Sequence, residues 1–207
     1  MTSPLAGKWV LITGASSGFG AAAALWFGAA GAHLLLGARR LDRLEAVAAG
    51  ARAAGAASAH AHPLDVASTA GVEAFTAWAR TLTPRVDVLV NNAGGAHGLE
   101  PVADGRDADW EAMFQSNVLG VLRMTRAVLP LLPRDAGAMI LNIGSIAART
   151  PYENGAAYCG AKAAGLAITR ALRLELHGAG IRVATLDPGM AETGFSVTRF
   201  KGDTARA

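Results

Sequence analysis

"VLITGASSGFGAAAALWFGAAGAHLLLGARR", residues 10–40, is apolar, turns on glycines into an alanine-rich stretch, and becomes apolar again. The two apolar runs, Val10 to Thr13 and His33 to Leu36, are strand-length, and the stretch between them is long enough for a helix. Strand, helix and strand in that order form a βαβ unit, whose two strands are parallel. Gly14, Gly18 and Gly20 fall at the junction of the first strand and the helix in a GxxxGxG spacing. Glycines there let the backbone turn tightly and approach a pyrophosphate, while free N–H groups and the positive end of the helix dipole face the anion. A glycine-rich helix entry with no ligand is the competing interpretation. Where the second strand ends, an acidic residue would bond a ribose 2′-hydroxyl. Here Arg39 and Arg40 stand instead, with no carboxylate before Asp42. Arginine suits a 2′-phosphate through charge-assisted, bidentate hydrogen bonds, so the pair favours NADP over NAD; two solvated arginines are the alternative.

The same alternation continues down the chain. Apolar runs at Ala59 to Leu64, Val86 to Val90, Met139 to Ile143 and Arg182 to Leu186 alternate with helical patterns, which cover about 18–30, 41–54, 68–80, 107–132 and 156–177. The runs are apolar at nearly every position rather than alternately, as strands covered on both faces require. The expected architecture is a doubly wound parallel α/β sheet of three layers in a single domain, residues 1–207. Gly31 and Gly178 are suited to helix stops. Trp26, Trp78 and Trp110 fall in helical patterns and are expected to pack, and Trp9 opens the first strand.

Composition narrows the function. The 207 residues are 52% hydrophobic and 17% charged, which is globular. The net charge of +3 comes from scattered arginines and not a basic stripe, which argues against nucleic acid. No apolar run reaches the roughly 18–20 residues of a membrane span. Cys159 is the only cysteine, so no intramolecular disulfide forms, and a cytoplasmic location fits. His60 and His62 share one side of a strand but lack a cluster of further ligands, so no metal site is expected. His97 either lines a pocket or sits in a solvated loop. Cys159 points about 100° away from its neighbour Tyr158 on the helix and needs no redox role.

"SIAARTPYENGAAYCGAK", residues 145–162, holds the chemistry. Tyr158 and Lys162 are four residues apart, about one helical turn, so they share a face. A phenol with a pKa near 10 must be lowered to transfer protons near neutrality. A neighbouring ammonium does so by favouring the phenolate. Ser145 ends the preceding strand-like run.

Together these residues resemble the short-chain dehydrogenases/reductases over essentially the whole chain. "TGASSGFG" is similar to that family's TGxxxGxG, "LDV" at 64–66 to its adenine-contacting segment, and "NNAG" at 91–94 to its strand-four motif. "SNVLG" at 116–120, the Ser and YxxxK set, and "DPGMAET" at 187–193 complete the series in order. The resemblance implies a Rossmann-type fold and a catalytic set of Asn117, Ser145, Tyr158 and Lys162. It implies a cofactor held by Gly14, Ser16, Ser17, Gly18, Phe19, Gly20, Arg39, Arg40, Asp65, Val66, Asn91, Ala93, Gly94, Tyr158, Lys162, Pro188, Gly189 and Thr193. Lys162 would also hold the nicotinamide ribose, and Asn117 would position a water that joins the tyrosine and lysine to solvent.

"GFSVTRFKGD", residues 194–203, resembles the branch of NADP-dependent 3-hydroxy acid dehydrogenases, which includes serine and allo-threonine dehydrogenases. It would form a mobile lid, with Arg199 pairing a substrate carboxylate beside Ser145 and Tyr158. Gly194 stands where that branch carries a glutamate. The family also continues through a further helix and a seventh strand, which this sequence lacks, and it forms homodimers or homotetramers. The implied function is hydride transfer between NADP(H) and a small hydroxy acid or ketone. A ketoreductase for a larger hydrophobic carbonyl and a non-catalytic dinucleotide sensor are the alternatives.

Overall fold

The computed structural model describes residues 3–134, 137–189, 191, 193–203 and 205. Six strands, β1 (Trp9–Thr13), β2 (His33–Ala38), β3 (Ser58–Pro63), β4 (Val88–Asn91), β5 (Ala138–Ile143) and β6 (Ile181–Leu186), form an all-parallel sheet. Their order is β3-β2-β1-β4-β5-β6. The chain winds outward from β1 in one direction, then returns to its other side at β4. In such a sheet the crevice outside the carboxyl ends of the strands, where the order reverses, is the natural ligand site.

The continuous apolar runs divide between two faces because strand side chains alternate. Val10 and Ile12 pack with Leu34, Leu36, Val88 and Val90 under helices α1 (Gly18–Ala29) and α2 (Leu41–Ala54). Leu11, Leu35, Leu89 and Ile140 pack on the opposite face with Phe75 of α3 (Thr69–Leu82). Leucines 11, 35 and 89 are fully buried, and each such side chain contributes roughly 2 kcal/mol from leaving water.

The region expected as one helix at 107–132 is broken. It forms α4 (Asp107–Phe114), a π-helical turn (Gln115–Leu119), α5 (Gly120–Val128) and a short 3-10 turn (Leu129–Leu131). Asn117 is at the centre of the π turn. Its Nδ2 donates to the Met113 carbonyl at 2.8 Å, the acceptor that the Asn117 amide would take in an α-helix. A side chain competing for that carbonyl accounts for the widened turn.

α6 (Ala156–Glu175) then carries Tyr158 and Lys162, and α7 (Phe195–Arg199) follows β6. Trp78 packs, with its ring 4.6 Å from that of His62. Trp26 does not: it is 64% exposed, because α1 turns its small residues Gly20, Ala24 and Gly28 inward. A Cβ on Gly28 would stand 2.8 Å from the Ala51 carbonyl oxygen, so α1 and α2 approach backbone to backbone and the bulky side chain is left outside. Among the described residues no helix is long and apolar enough to cross a membrane.

Candidate active site

The glycine turn lies at the carboxyl end of β1 and is held from β4. Gly14 has φ +66, and a Cβ there would stand 2.8 Å from the Cα of Ala93. A Cβ on Gly20 would stand 2.5 Å from the Gly14 carbonyl oxygen. Thr13 and Asn92, absent from the expected set, fix this approach. Thr13 Oγ1 accepts the N–H groups of Asn92 (3.0 Å) and Ala93 (2.9 Å), and Asn92 Nδ2 donates to the carbonyls of Thr13 (2.9 Å) and Gly14 (3.1 Å).

Ser17 is the N-cap of α1 yet makes no side-chain capping bond. Its hydroxyl oxygen and that of Ser16 instead accept from Arg40 Nη2, at 2.8 and 3.2 Å. The guanidinium therefore stands directly over a helix start whose side-chain cap is absent, an arrangement suited to a phosphate-bearing ligand. Arg39 is exposed beside it. Phe19 is also exposed, and Thr193 lies across the turn, 3.7 Å from where a Cβ on Gly18 would be. Asp65 Oδ1 accepts the Ala67 N–H at 3.0 Å and shapes the turn after β3, while Val66 is buried. Pro188 accepts the Ile146 N–H, which places the segment 187–189 against the loop that carries Ser145. Gly189 follows it, and Met190 and Glu192 of the same motif lie outside the described residues.

The Asn91 side chain is buried, and its Nδ2 donates to Thr125 Oγ1 (3.1 Å) and Asn142 Oδ1 (2.9 Å). Asn142 donates in turn to Thr169 Oγ1 at 2.9 Å, and Thr169 to the Gly165 carbonyl at 2.8 Å. This chain of bonds ties β4 and β5 to α5 and α6. The Asn91 side chain is a structural tie, and the glycine turn is positioned by its neighbour Asn92.

Ser145, Tyr158, Lys162 and Asn117 gather at the carboxyl ends of β4 and β5. Ser145 opens a short 3-10 turn (Ile146–Ala148), and its hydroxyl accepts the Ala147 N–H at 3.1 Å. Lys162 Nζ donates to the Ile143 carbonyl at 3.0 Å and lies 5.8 Å from the centroid of the Tyr158 ring. Asn117 Nδ2 bonds the Gly95 carbonyl at 2.9 Å, and its Oδ1 is buried without a partner among the described residues. A Cβ on Gly94 would press on that oxygen at 2.5 Å, so glycine is needed there for Asn117 to enter.

Burial pushes the Tyr158 phenol above the usual tyrosine value, opposed by hydrogen bonding with Ser145 and by the Arg199 charge. Burial lowers Lys162 to about 8, opposed by Asp187. Both groups are driven toward their neutral forms because the site is desolvated.

α7 closes the site from above. Arg199 Nε donates to the Gly98 carbonyl at 2.8 Å, and the guanidinium carbon lies 5.5 and 5.9 Å from the ring centroids of Tyr152 and Tyr158. Phe195 meets the Tyr158 ring edge-on at 5.4 Å. Lys201 Nζ pairs with Asp109 on α4 at 2.9 Å. The cleft below is lined by His97, Arg106, Trp110, Met113, Tyr158 and Arg199. His97 is thus a lining residue.

A family model described as short chain dehydrogenase matches residues 8–203. The chain is 42% identical over 197 residues to sulfoacetaldehyde reductase 2 of Chromohalobacter salexigens, a match covering 95% of this chain and 77% of that protein. It is 41% identical over 206 residues to the NADP-dependent 3-hydroxy acid dehydrogenase of Schizosaccharomyces pombe, covering 99% and 80%. Among solved structures, the closed form of serine dehydrogenase complexed with NADP+ superposes with a TM-score of 0.89 at 37% identity, covering 97% of this chain and 79% of that one.

Proposed function

This chain belongs to the short-chain dehydrogenase family, and from that premise we propose that it is an NADP(H)-dependent oxidoreductase interconverting a hydroxyl and a carbonyl on a small 3-hydroxy acid or related ketone. One observation carries the reading: Lys162 Nζ and the Arg199 guanidinium carbon lie 5.8 and 5.9 Å from the centroid of the Tyr158 ring, and Tyr158 and Arg199 line one cleft. A proton donor and a fixed cation are thereby presented to one small ligand.

The cofactor supplies the hydride in reduction and accepts it in oxidation. In this reading Gly14, Gly18 and Gly20 cradle its pyrophosphate, and Arg40, with Arg39 beside it, takes the 2′-phosphate. The close backbone approach at Gly14 and the Arg40 guanidinium over Ser16 and Ser17 support that fit. Asp65 and Val66 border the adenine, while Ala93, Gly94, Pro188, Gly189 and Thr193 border the nicotinamide half.

Tyr158 gives its proton to the carbonyl oxygen as that oxygen gains charge, and Ser145 donates a hydrogen bond to the same atom. The desolvation that raises the phenol keeps it protonated, the form a general acid needs. Lys162 holds ribose hydroxyls, and Asn117 shapes the route by which Tyr158 regains its proton. Arg199 binds the anionic end of the substrate. The relatives named for sulfoacetaldehyde and for 3-hydroxy acids support an anionic substrate. The reading also includes a cytoplasmic homodimer or homotetramer built from one domain, with a single cysteine supporting the compartment.

The test is nicotinamide absorbance with NADP and NAD against serine, allo-threonine, 3-hydroxybutyrate and 3-hydroxyisobutyrate, with sulfoacetaldehyde in the reverse direction. NADP-linked turnover of at least one is expected. NADPH binding with turnover only of bulky uncharged ketones would overturn the substrate class.

A further inference from the structure

The cleft under α7 is small, and one of its walls is a side chain that no step above uses. Its free volume is about 20 Å³, room for one water-sized group. Further ligand atoms therefore need a wall to move, and the walls differ in how far they can. Met113 of α4 is buried with Ala96 and Ala161, and Tyr158 and Phe195 pack against that cluster, so it belongs to the core. Arg199 is tied to Gly98 through both its carbonyl and its Nε. Trp110 stands three residues before Met113 on α4, so the two side chains share a face of the helix. It is the largest side chain lining the cleft, and it is half-buried.

The indole has a prepared seat. A Cβ on Gly105 would stand 2.8 Å from Trp110 Nε1, so the ring rests on the backbone of the loop that leads into α4. Gly105 has φ −68 and ψ 134, a conformation open to every residue. Glycine there makes room for the ring and is not required by the turn. The indole cannot retreat toward Gly105, and it stands as a rigid wall of the cleft.

We propose that Trp110 is the specificity-determining residue for substrate length, and that it restricts the cleft to substrates whose reacting carbon carries only hydrogen or a methyl group besides the acid arm. The proposal rests on the reading of Tyr158 and Arg199 given above and narrows its substrate class. With the reacting oxygen at Tyr158 and the carboxylate at Arg199, the remaining substituent of that carbon faces Trp110 and Met113. A propyl or pentyl chain there meets an indole backed by Gly105 and a methionine held in the core. Trp110, being half-buried, is the one of the pair whose truncation opens the wall toward solvent and leaves the core intact.

The test is kcat/KM with NADP for 3-hydroxypropionate, 3-hydroxybutyrate, 3-hydroxyhexanoate and 3-hydroxyoctanoate. Wild type should lose activity beyond 3-hydroxybutyrate. Trp110→Ala should raise the ratio of 3-hydroxyhexanoate to 3-hydroxypropionate by about 10- to 100-fold, with Trp110→Phe between the two. A gain on the longer substrate is not what a damaged fold produces, and 3-hydroxypropionate itself should gain nothing. An unchanged ratio in Trp110→Ala, or a wild type that takes 3-hydroxyoctanoate as well as 3-hydroxypropionate, overturns the proposal. If Trp110→Ala does not fold, as judged by circular dichroism, Trp110→Phe decides alone, and an unchanged ratio sinks the idea. Reduction of butanone and 2-octanone with NADPH separates this proposal from the functional reading. A Trp110-dependent length limit on the ketones, with no turnover of any hydroxy acid, would sink the anionic substrate and leave the length limit standing. If neither series turns over, calorimetric titration of the NADPH complex with propionate and octanoate makes the same comparison, and octanoate binding no better to Trp110→Ala than to wild type overturns the proposal.

Discussion

Arg199 and Gly98 are bonded twice: the Gly98 N–H donates to the Arg199 carbonyl at 2.9 Å, and Arg199 Nε donates to the Gly98 carbonyl at 2.8 Å. The guanidinium is held by one nitrogen from the far wall of the cleft. The guanidinium carbon lies 5.5 and 5.9 Å from the ring centroids of Tyr152 and Tyr158.

Arg199→Ala should therefore raise KM for an anionic substrate by about 10- to 100-fold, the worth of a charge-assisted hydrogen bond, and spare an uncharged ketone. Steady-state kinetics on one substrate of each kind checks this. Equal losses on both would mean that Arg199 only holds the lid.

Tyr158→Phe removes the acid but keeps the ring that Phe195 and Arg199 contact. kcat should fall by roughly 10²- to 10⁴-fold or more, while NADPH affinity stays within about twofold. Stopped-flow turnover beside fluorescence titration of NADPH separates the two, and a fully active variant would end the proposed mechanism.

In the proposed reading, cofactor choice depends on Arg40 and Arg39. Arg40→Ala frees Ser16 and Ser17 and removes the proposed phosphate ligand, and Arg39→Asp adds a repelling charge. Each should lower the NADP to NAD ratio of kcat/KM, by about tenfold or more for one lost charge-assisted bond. A ratio unchanged in both variants would show that neither arginine reads the 2′-phosphate.

Asp87 gives the acid limb of stability. Burial raises its carboxyl, but the Trp9 N–H at 2.9 Å and the Arg85 and Lys8 charges outweigh that and hold it below the ordinary carboxylate value. The folded state thus binds this proton less readily than the unfolded chain. Its contribution is complete above the unfolded carboxylate pKa, near 4, and is lost as pH falls through the lower folded value. Asp87→Ala should cost about 1–3 kcal/mol at neutral pH and flatten the acid limb of a urea-denaturation series. An acid limb identical to that of wild type would assign it to other groups.

The sheet was legible because its strands are apolar at consecutive positions, and the Tyr158 and Lys162 spacing because one helical turn is a local rule. What escaped the sequence depends on distant partners. At the π turn Asn117 Nδ2 takes the Met113 carbonyl and also reaches the distant Gly95 carbonyl, and residue spacing within 107–132 does not show that a side chain will displace a backbone donor. Asn91 and Asn92 are the same residue type in adjacent positions, and strand alternation sends one inward and the other toward the glycine turn. Trp26 was misplaced because α1 is apolar nearly all round, which leaves no polar face to identify the outside. The lysine's neutralising surroundings arise from burial, which becomes visible only when the layers are assembled.

The bonds from Thr125 through Asn91 and Asn142 to Thr169 work as a proofreader of strand alignment. Asn91 and Asn142 are direct partners across β4 and β5. Sliding β5 by one residue would turn Asn142 to the other face and strand the amides and hydroxyls of the chain in an apolar interior, at about 1–3 kcal/mol for each. The leucine and isoleucine neighbours would tolerate such a slip far better, so the few polar groups in the interior tell the aligned sheet from its misaligned alternatives.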